Sequence, residues 1–279
     1  MAENLKVLKG RIKTAKNIAQ IAKAMEMISA SKIKKAQTSV INNKPYKNGI
    51  VNLTDNILSH NEAKKYSHPY LFENESDKSL LIILSPDKGL CGSLNTNLNK
   101  KILELDNKNT KIVVLGKKAS QFCKRGNSEV IAEFPFGTTL PEYSQIYKIA
   151  EIINAQFLSK SVSNVKLLYS QFSSIFLQEP LLVDLLPIKS QATEVNIPYI
   201  FEPKIESLLS DLLPYYLEVL LYTAMIEAYT SEQAARMVAM QNAKNSALDI
   251  ADFVTLTYNK SRQERITSEL LTLSNNITL

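Results

Sequence analysis

Leu5, Leu8, Ile12, Ala15, Ala19 and Ala22 recur at alternating spacings of three and four residues, with mostly polar residues between them. That period belongs to a helix with one narrow apolar seam, the kind that packs along a second helix. From Arg11 to Lys44 neither glycine nor proline interrupts it. The next seam positions fall on Glu26 and Ser29, so the apolar stripe is expected to move onto Met25 and Ile28. Pro45 and Gly49 are expected to kink or end the helix. Val51, Leu53, Ile57 and Leu58 carry a weaker helical pattern beyond them.

The same period returns at the other end of the chain. Leu213, Leu217, Leu220 and Ala224 are followed by Ala235, Ala239, Ala243, Ala247, Ala251, Val254 and Tyr258. No glycine occurs after Gly137 and no proline after Pro214, so nothing breaks a helix in the last quarter. A helix from about Ile205 to Leu279 is expected, with Pro214 tolerated in its first turn. At ~1.5 Å per residue, some 65 helical residues reach on the order of 100 Å. That is several times the radius of a compact domain of this size. The stripe therefore needs the N-terminal helix along part of its length and other chains along the rest.

Between the two helices the pattern changes. Leu80 to Leu84 and Lys111 to Gly116 are short apolar runs of buried-strand type, and each meets a turn. Val130 to Phe134 and Val165 to Tyr169 are further strands, and Ile175 to Leu186 adds strand without an intervening helix. Helices are expected near Ser93 to Leu105, Lys118 to Arg125 and Tyr143 to Leu158. Alternation of this kind gives an α/β layer with parallel strands. The expected segments are 1–60 (N-terminal helix), 61–79 (a polar connector with Pro69), 80–204 (α/β domain) and 205–279 (a longer helix returning past the first).

The 279 residues carry a formal net charge of +6, too little to identify a partner. The distribution is more telling, because eleven Lys/Arg between Met1 and Lys47 face only Glu3 and Glu26. A solvated helix face, an acidic partner, a membrane or a nucleic acid would each account for it. No run approaches the roughly 18 apolar residues of a membrane span, and the N-terminus lacks a signal peptide's apolar core. Cys91 and Cys123 form no C-x-x-C pair, and His60 and His68 are distant in sequence, so two buried, reduced thiols are expected and no zinc site.

The turn Gly89-Leu90-Cys91-Gly92 lies between a strand and a helix, where α/β folds bind phosphates. Its spacing matches neither G-x-G-x-x-G nor G-x-x-x-x-G-K-[ST], so a tight turn without a ligand is expected. A helix start would lower the Cys91 thiol pKa, but no histidine stands close in sequence. Asp249 and Asp252 read as a solvated helix face. No catalytic, cofactor-binding or metal-ligating set emerges, and periodicity alone gives a scaffold with long helices. Two other classes stay open at this level. A basic coiled-coil adaptor would bind nucleic acid in a salt-sensitive way, and an enzyme built on the Gly89–Gly92 turn would bind nucleotide.

Two terminal segments carry a resemblance. Leu8-Lys9-Gly10-Arg11-Ile12, with Lys23-Ala24-Met25-Glu26-Met27 running on through Lys32, Lys34 and Lys35 to Gln37, resembles the N-terminal signature of F-type ATP synthase gamma subunits. Glu227 to Met240, continued by Tyr258 to Gln263 and Ile266 to Leu270, is similar to that family's C-terminal signature. Asp87 to Asn95 and Leu185-Leu186-Pro187 resemble its central elements. The implied fold is α/β plus a long antiparallel coiled coil, with the terminal helices paired and a Rossmann-like domain inserted. The implied function is a non-catalytic rotor shaft without cofactors, turning inside a ring of alternating alpha and beta subunits. Its foot would lie against the epsilon subunit and the c-ring, with no nucleic acid and with membrane association only through the complex. A bacterial origin would put it on the cytoplasmic face of the plasma membrane.

By the same resemblance, Arg262 and Gln263 would hydrogen-bond to beta-subunit loops. Met25, Lys23, Lys32, Lys34 and Lys35 would pass an acidic beta-subunit segment. Glu232 and Arg236 would lie across from the Met25 region and hold the helix pair in register. The chain departs from the family pattern at Ile18, Gln20 and Ala22, at Lys88, and in its tail from Leu271 to Leu279, so shaft contacts there are expected to differ.

Overall fold

The computed structural model describes residues 5–60, 66–105, 109–189 and 202–277. The expected connector lies partly outside them, at 61–65, as do the last two residues of the tail, 278–279. The order is α1 (Leu5–Leu58), β1 (Ser79–Leu84), α2 (Leu94–Glu104), β2 (Thr110–Leu115), α3 (Lys117–Arg125), β3 (Glu129–Phe134), α4 (Ser144–Leu158), β4 (Val165–Phe172), β5 (Gln178–Leu186) and α5 (Ile205–Ile277). A short 3₁₀ turn at Pro69–Leu71 precedes β1. By contact, the chain divides into residues 31–235 and a second unit made of 1–30 with 236–279.

In the larger unit the strands lie in the order β3-β2-β1-β4-β5, with β1 to β4 parallel and β5 antiparallel to β4. Alternate residues of each strand point to opposite faces, so a continuous apolar run fills two cores at once. Leu81, Ile83, Ile112, Val114 and Leu168 pack on one face against Leu98 and Ile102 of α2 and Ala119 and Cys123 of α3. Leu80, Ile82, Leu84, Val113, Leu115 and Leu167 pack on the other, against α4 and the first half of α5. α4 presents Ile146, Ile149, Ile153 and Phe157, spaced to share one helix face. Helices on both faces of a parallel sheet make this a doubly wound layer.

The turns at the carboxyl ends of the strands are bound together by two side chains. Asp87, after β1, accepts hydrogen bonds from the backbone N–H of Lys117 at 3.0 Å and of Gly137 at 2.8 Å. One carboxylate thereby ties the loops that follow three neighbouring strands. Ser85 Oγ donates within the same turn to the carbonyls of Leu115 or Gly116 and accepts from the N–H of Ala119 at 3.1 Å.

The helix break expected at Pro45 and Gly49 does not occur, and Pro214 lies deeper in its helix than expected. α1 runs unbroken through Pro45 and Gly49. The carbonyl that Pro45 leaves without a partner belongs to Ile41, and both residues are exposed, so the loss falls on the solvent side of the helix, where it costs least. α5 starts nine residues before Pro214, which therefore sits beyond the first turn. The carbonyl it frees is that of Ser210, again on the exposed side.

Burial pushes the Cys123 thiol up to about 11 and the Tyr70 phenol up to about 12. It also raises Tyr143 and Tyr169, helped by the Glu218 and Glu227 carboxylates to which their hydroxyls donate. The folded state holds these protons, whereas an unfolded chain releases them near its ordinary thiol and phenol values. Their contribution is thus complete at neutral pH and is lost as pH rises from about 9 toward 12. The melting temperature is expected to be level from about pH 7 to 8.5 and to fall steadily above about 9. A pH series of thermal melts measures it.

Candidate functional surface on the paired helices

The smaller unit is a pair of helices, the start of α1 beside the end of α5. Low numbers of α1 meet high numbers of α5, so the helices are antiparallel. Leu8, Ala15, Ala19, Ala22 and Ser29 are buried on α1, and Met240, Ala247 and Ala251 on α5. The alanines and Ser29 among them are small enough to let the two axes approach closely, with Leu8 and Met240 the larger exceptions. Beside them runs a groove of about 640 Å³, lined in part by Gly10, Ala15, Ile18, Ala247, Ile250 and Val254.

The expected displacement of the stripe onto Met25 and Ile28 does not happen. Ile28 is 51% exposed and Met25 is half-buried. The seam continues through Glu26 and Ser29 instead. Glu26 can remain there because Lys244, itself on the seam of α5, meets its carboxylate at 2.8 Å. A charge is tolerated in a narrow apolar contact when its counterion comes from the facing helix.

The outer faces carry many large apolar side chains. Ile18, Ile21 and Met27 on α1, and Ile250, Phe253 and Leu256 on α5, are exposed. Beyond Ser261 every described side chain of α5, from Arg262 to Leu273, is exposed, including Ile266, Leu270, Leu271 and Leu273. At the register set by Glu26 and Lys244, Leu5, the first described residue of α1, is level with Arg265, so Leu270, Leu271 and Leu273 lie beyond the described part of α1. A stretch of this size, unburied by its own chain, marks an interaction surface.

The residues singled out from sequence fall into three groups. Lys23, Lys34, Lys35, Arg262 and Gln263 are exposed on the helix surface. Lys32 is half-buried, and its ammonium donates to the carbonyl of Thr138 at 2.6 Å, a partner within the chain. Glu232 and Arg236 are buried, and neither is without a partner.

The crevice at the carboxyl ends of the strands is where a doubly wound sheet ordinarily takes a ligand. Here the chain's own helix α5 packs against it. Cys91 and Leu94 pack on Ala235, Tyr169 donates to Glu227 at 3.1 Å, and Tyr229 Oη lies 3.4 Å from the carbonyl of Thr138. From Thr223 to Arg236, α5 is buried at every position except Glu227, which is half-buried. Neither cysteine forms a disulfide, and both are buried. Among the described residues no group of three or more His, Cys, Asp or Glu could hold a metal ion, and no helix is long and apolar enough to cross a membrane.

Three features escaped the sequence reading. The Glu26–Lys244 pair spans 218 residues, and only the polar intrusions at seam spacing hint at it. The two backbone partners of Asp87 leave no signal in sequence. Phe176, 81% exposed at the β4–β5 hairpin, shows only as an aromatic two residues past Ser174.

A family model described as ATP synthase matches residues 4–274. Curated relatives bear the name ATP synthase gamma chain. One from Dehalococcoides mccartyi is 38% identical over 274 residues, 96% of each chain. Others from Desulfitobacterium hafniense and Paracidovorax citrulli are 37% and 34% identical over 94% and 95% of each chain. Among solved structures, a chain of the Euglena gracilis mitochondrial ATP synthase (OSCP/F1/c-ring, rotational state 3) aligns with a TM-score of 0.74 at 19% identity, over 98% of this chain and 93% of that one. A chain of the Tetrahymena thermophila mitochondrial ATP synthase central stalk and c-ring aligns at 0.63 and 23% identity, over 80% and 99%. These two are similar to the chain in fold.

Proposed function

This chain belongs to the ATP synthase gamma-chain family, and on that premise we propose that its paired terminal helices are the working surface of a rotor. Its function is that of a gamma chain, part of the central stalk through which ion transport and ATP synthesis are coupled. The helix pair turns inside a ring of alternating alpha and beta subunits. Each catalytic-site conformation binds a different face of the pair, so turning it redistributes their populations. The division into shaft (1–60 and 205–279), connector (61–79) and α/β foot (80–204) follows from that role, with the foot against the epsilon subunit and the c-ring.

The chain itself performs no chemistry, and the catalytic sites belong to the beta subunits. Proton, or alternatively sodium ion, crosses the membrane in the partner sector. The complex is peripheral at this end, on the cytoplasmic face of a bacterial plasma membrane. Lys23, Met25, Lys34 and Lys35 pass the acidic beta-subunit segment, Lys32 extends the same basic face, and Glu232 and Arg236 hold shaft register. The observation that carries the reading is the bare end of α5, where Leu270, Leu271 and Leu273 stand exposed beside Arg262 and Gln263.

Arg262 and Gln263 grip beta-subunit loops, where the guanidinium offers a forked donor set. The double variant Arg262→Ala/Gln263→Ala removes exposed side chains, so it is expected to change the stability of the isolated chain by less than about 0.5 kcal/mol. In the assembled complex it is expected to slow ATP-driven rotation and weaken assembly. Rotation and assembly at the parent level would show that these two residues do not grip.

A further inference from the structure

The charged pair at the seam has a property its apolar neighbours lack. Glu26 and Lys244 are only 21% and 23% exposed and meet at 2.8 Å. Around them the seam is built from small residues: Ala22 and Ser29 on α1, Ala247 and Ala251 on α5, all buried. Alanines hold two helices close, but they say little about register, because alanine facing alanine looks the same one heptad along. The competing alignments are slips of seven residues, roughly 10 Å of helix rise.

The charged pair separates these alignments. One slip sets Glu26 opposite Ala251, and the slip the other way sets Lys244 opposite Ala19. Either leaves a largely dehydrated charge against a methyl group, with its counterion a heptad away. A partly buried ion pair adds little net stability over an apolar pair of similar size, while separating its members is costly. Its selective effect therefore falls on alignment.

We propose that Glu26 and Lys244 are positioning residues that fix the axial register of the terminal helices. Fixed register holds Ile18 and Ile21 on one helix level with a constant set of exposed residues on the other. The consequence for rotor action rests on the function proposed above, but the register itself does not.

The test uses the full chain with introduced cysteine pairs, oxidised and then analysed under denaturing conditions. In the register of Glu26 with Lys244, Ala19 lies opposite Ala251, so Ala19→Cys/Ala251→Cys reports the native alignment. Ala19→Cys/Tyr258→Cys and Ile12→Cys/Ala251→Cys report the two slips. The parent is expected to cross-link through the native pair alone. Glu26→Leu/Lys244→Leu is expected to melt no lower than the parent, yet to raise a slipped cross-link at least about ten-fold. The exchange Glu26→Lys/Lys244→Glu is expected to restore the native pattern.

Should the leucine variant not fold, Glu26→Gln alone is expected to raise a slipped cross-link. A leucine or glutamine variant that cross-links only in the native register overturns the proposal. So does an exchange variant that slips as the leucine variant does. Because the readout needs no partner subunit, failure here is distinct from failure of the rotor reading.

Discussion

Gly116→Ala is expected to keep the larger unit from reaching its native fold. Gly116 follows β2 with φ at +110°, a conformation that L-residues with a side chain rarely adopt. A Cβ there would lie 1.9 Å from the carbonyl oxygen of Ser85 and 2.6 Å from its hydroxyl. The obstructing atoms cannot yield cheaply. Ser85 follows β1 in the sheet's centre, and its hydroxyl accepts from the first turn of α3. Strain plus clash puts the substitution at roughly 4 kcal/mol or more, against a total stability of about 5–15 kcal/mol. Soluble yield and the thermal melt followed by circular dichroism read the effect. Gly49→Ala is the control, since nothing lies within 4 Å of its added Cβ inside α1. Alanine there is expected to stabilise by roughly 0.5–1 kcal/mol.

Ala251→Asp is expected to separate the terminal helices while leaving the sheet intact. Ala251 is 1% exposed at the seam. Aspartate already stands at 249 and 252, both exposed, so the test concerns position and not residue type. A carboxylate placed at 251 faces the alanine-lined seam, and an uncompensated buried charge of this kind costs about 3–5 kcal/mol. A pair held by a few small side chains cannot absorb that. Hydrogen exchange is expected to quicken in 5–29 and 237–260, with protection of β1, β2 and β4 unchanged. In the assembled complex, ATP synthesis is expected to be lost. Slow exchange throughout the helix pair would show that the seam is not what holds it.

The central strands are legible because β1 and β2 carry unbroken apolar runs, Leu80 to Leu84 and Ile112 to Leu115, and β4 a shorter one from Leu167 to Tyr169, which few other structures can bury. α2, α3 and α4 were legible because each follows a strand and ends at a turn. The extent of α1 is legible in its period, but the break expected at Pro45 is absent because the cost of a proline in a helix depends on whether the freed carbonyl faces solvent. That is a property of the folded surface. The seam at Glu26 was misread for a related reason. A glutamate at a core spacing looks like a defect until Lys244, 218 residues away, supplies its charge.

The candidate site was only half legible. The basic run and the terminal signatures located the helices that matter. They did not show that Thr230, Ser231 and Gln233 are buried, because such polar residues look like surface in sequence until the rest of the fold packs around them. Nor did they show that Lys32 is engaged by Thr138. Contacts within one helix follow its period, whereas contacts between elements depend on which loops arrive beside it.

The most direct test immobilises the ring of the assembled complex and follows a probe on the α/β unit. Leu103 is 67% exposed on α2, while Cys91 and Cys123 are buried, so Leu103→Cys gives a selective attachment point. On addition of ATP the probe is expected to turn steadily in one direction. A probe that stays fixed relative to the ring while ATP is hydrolysed at the full rate would contradict the account.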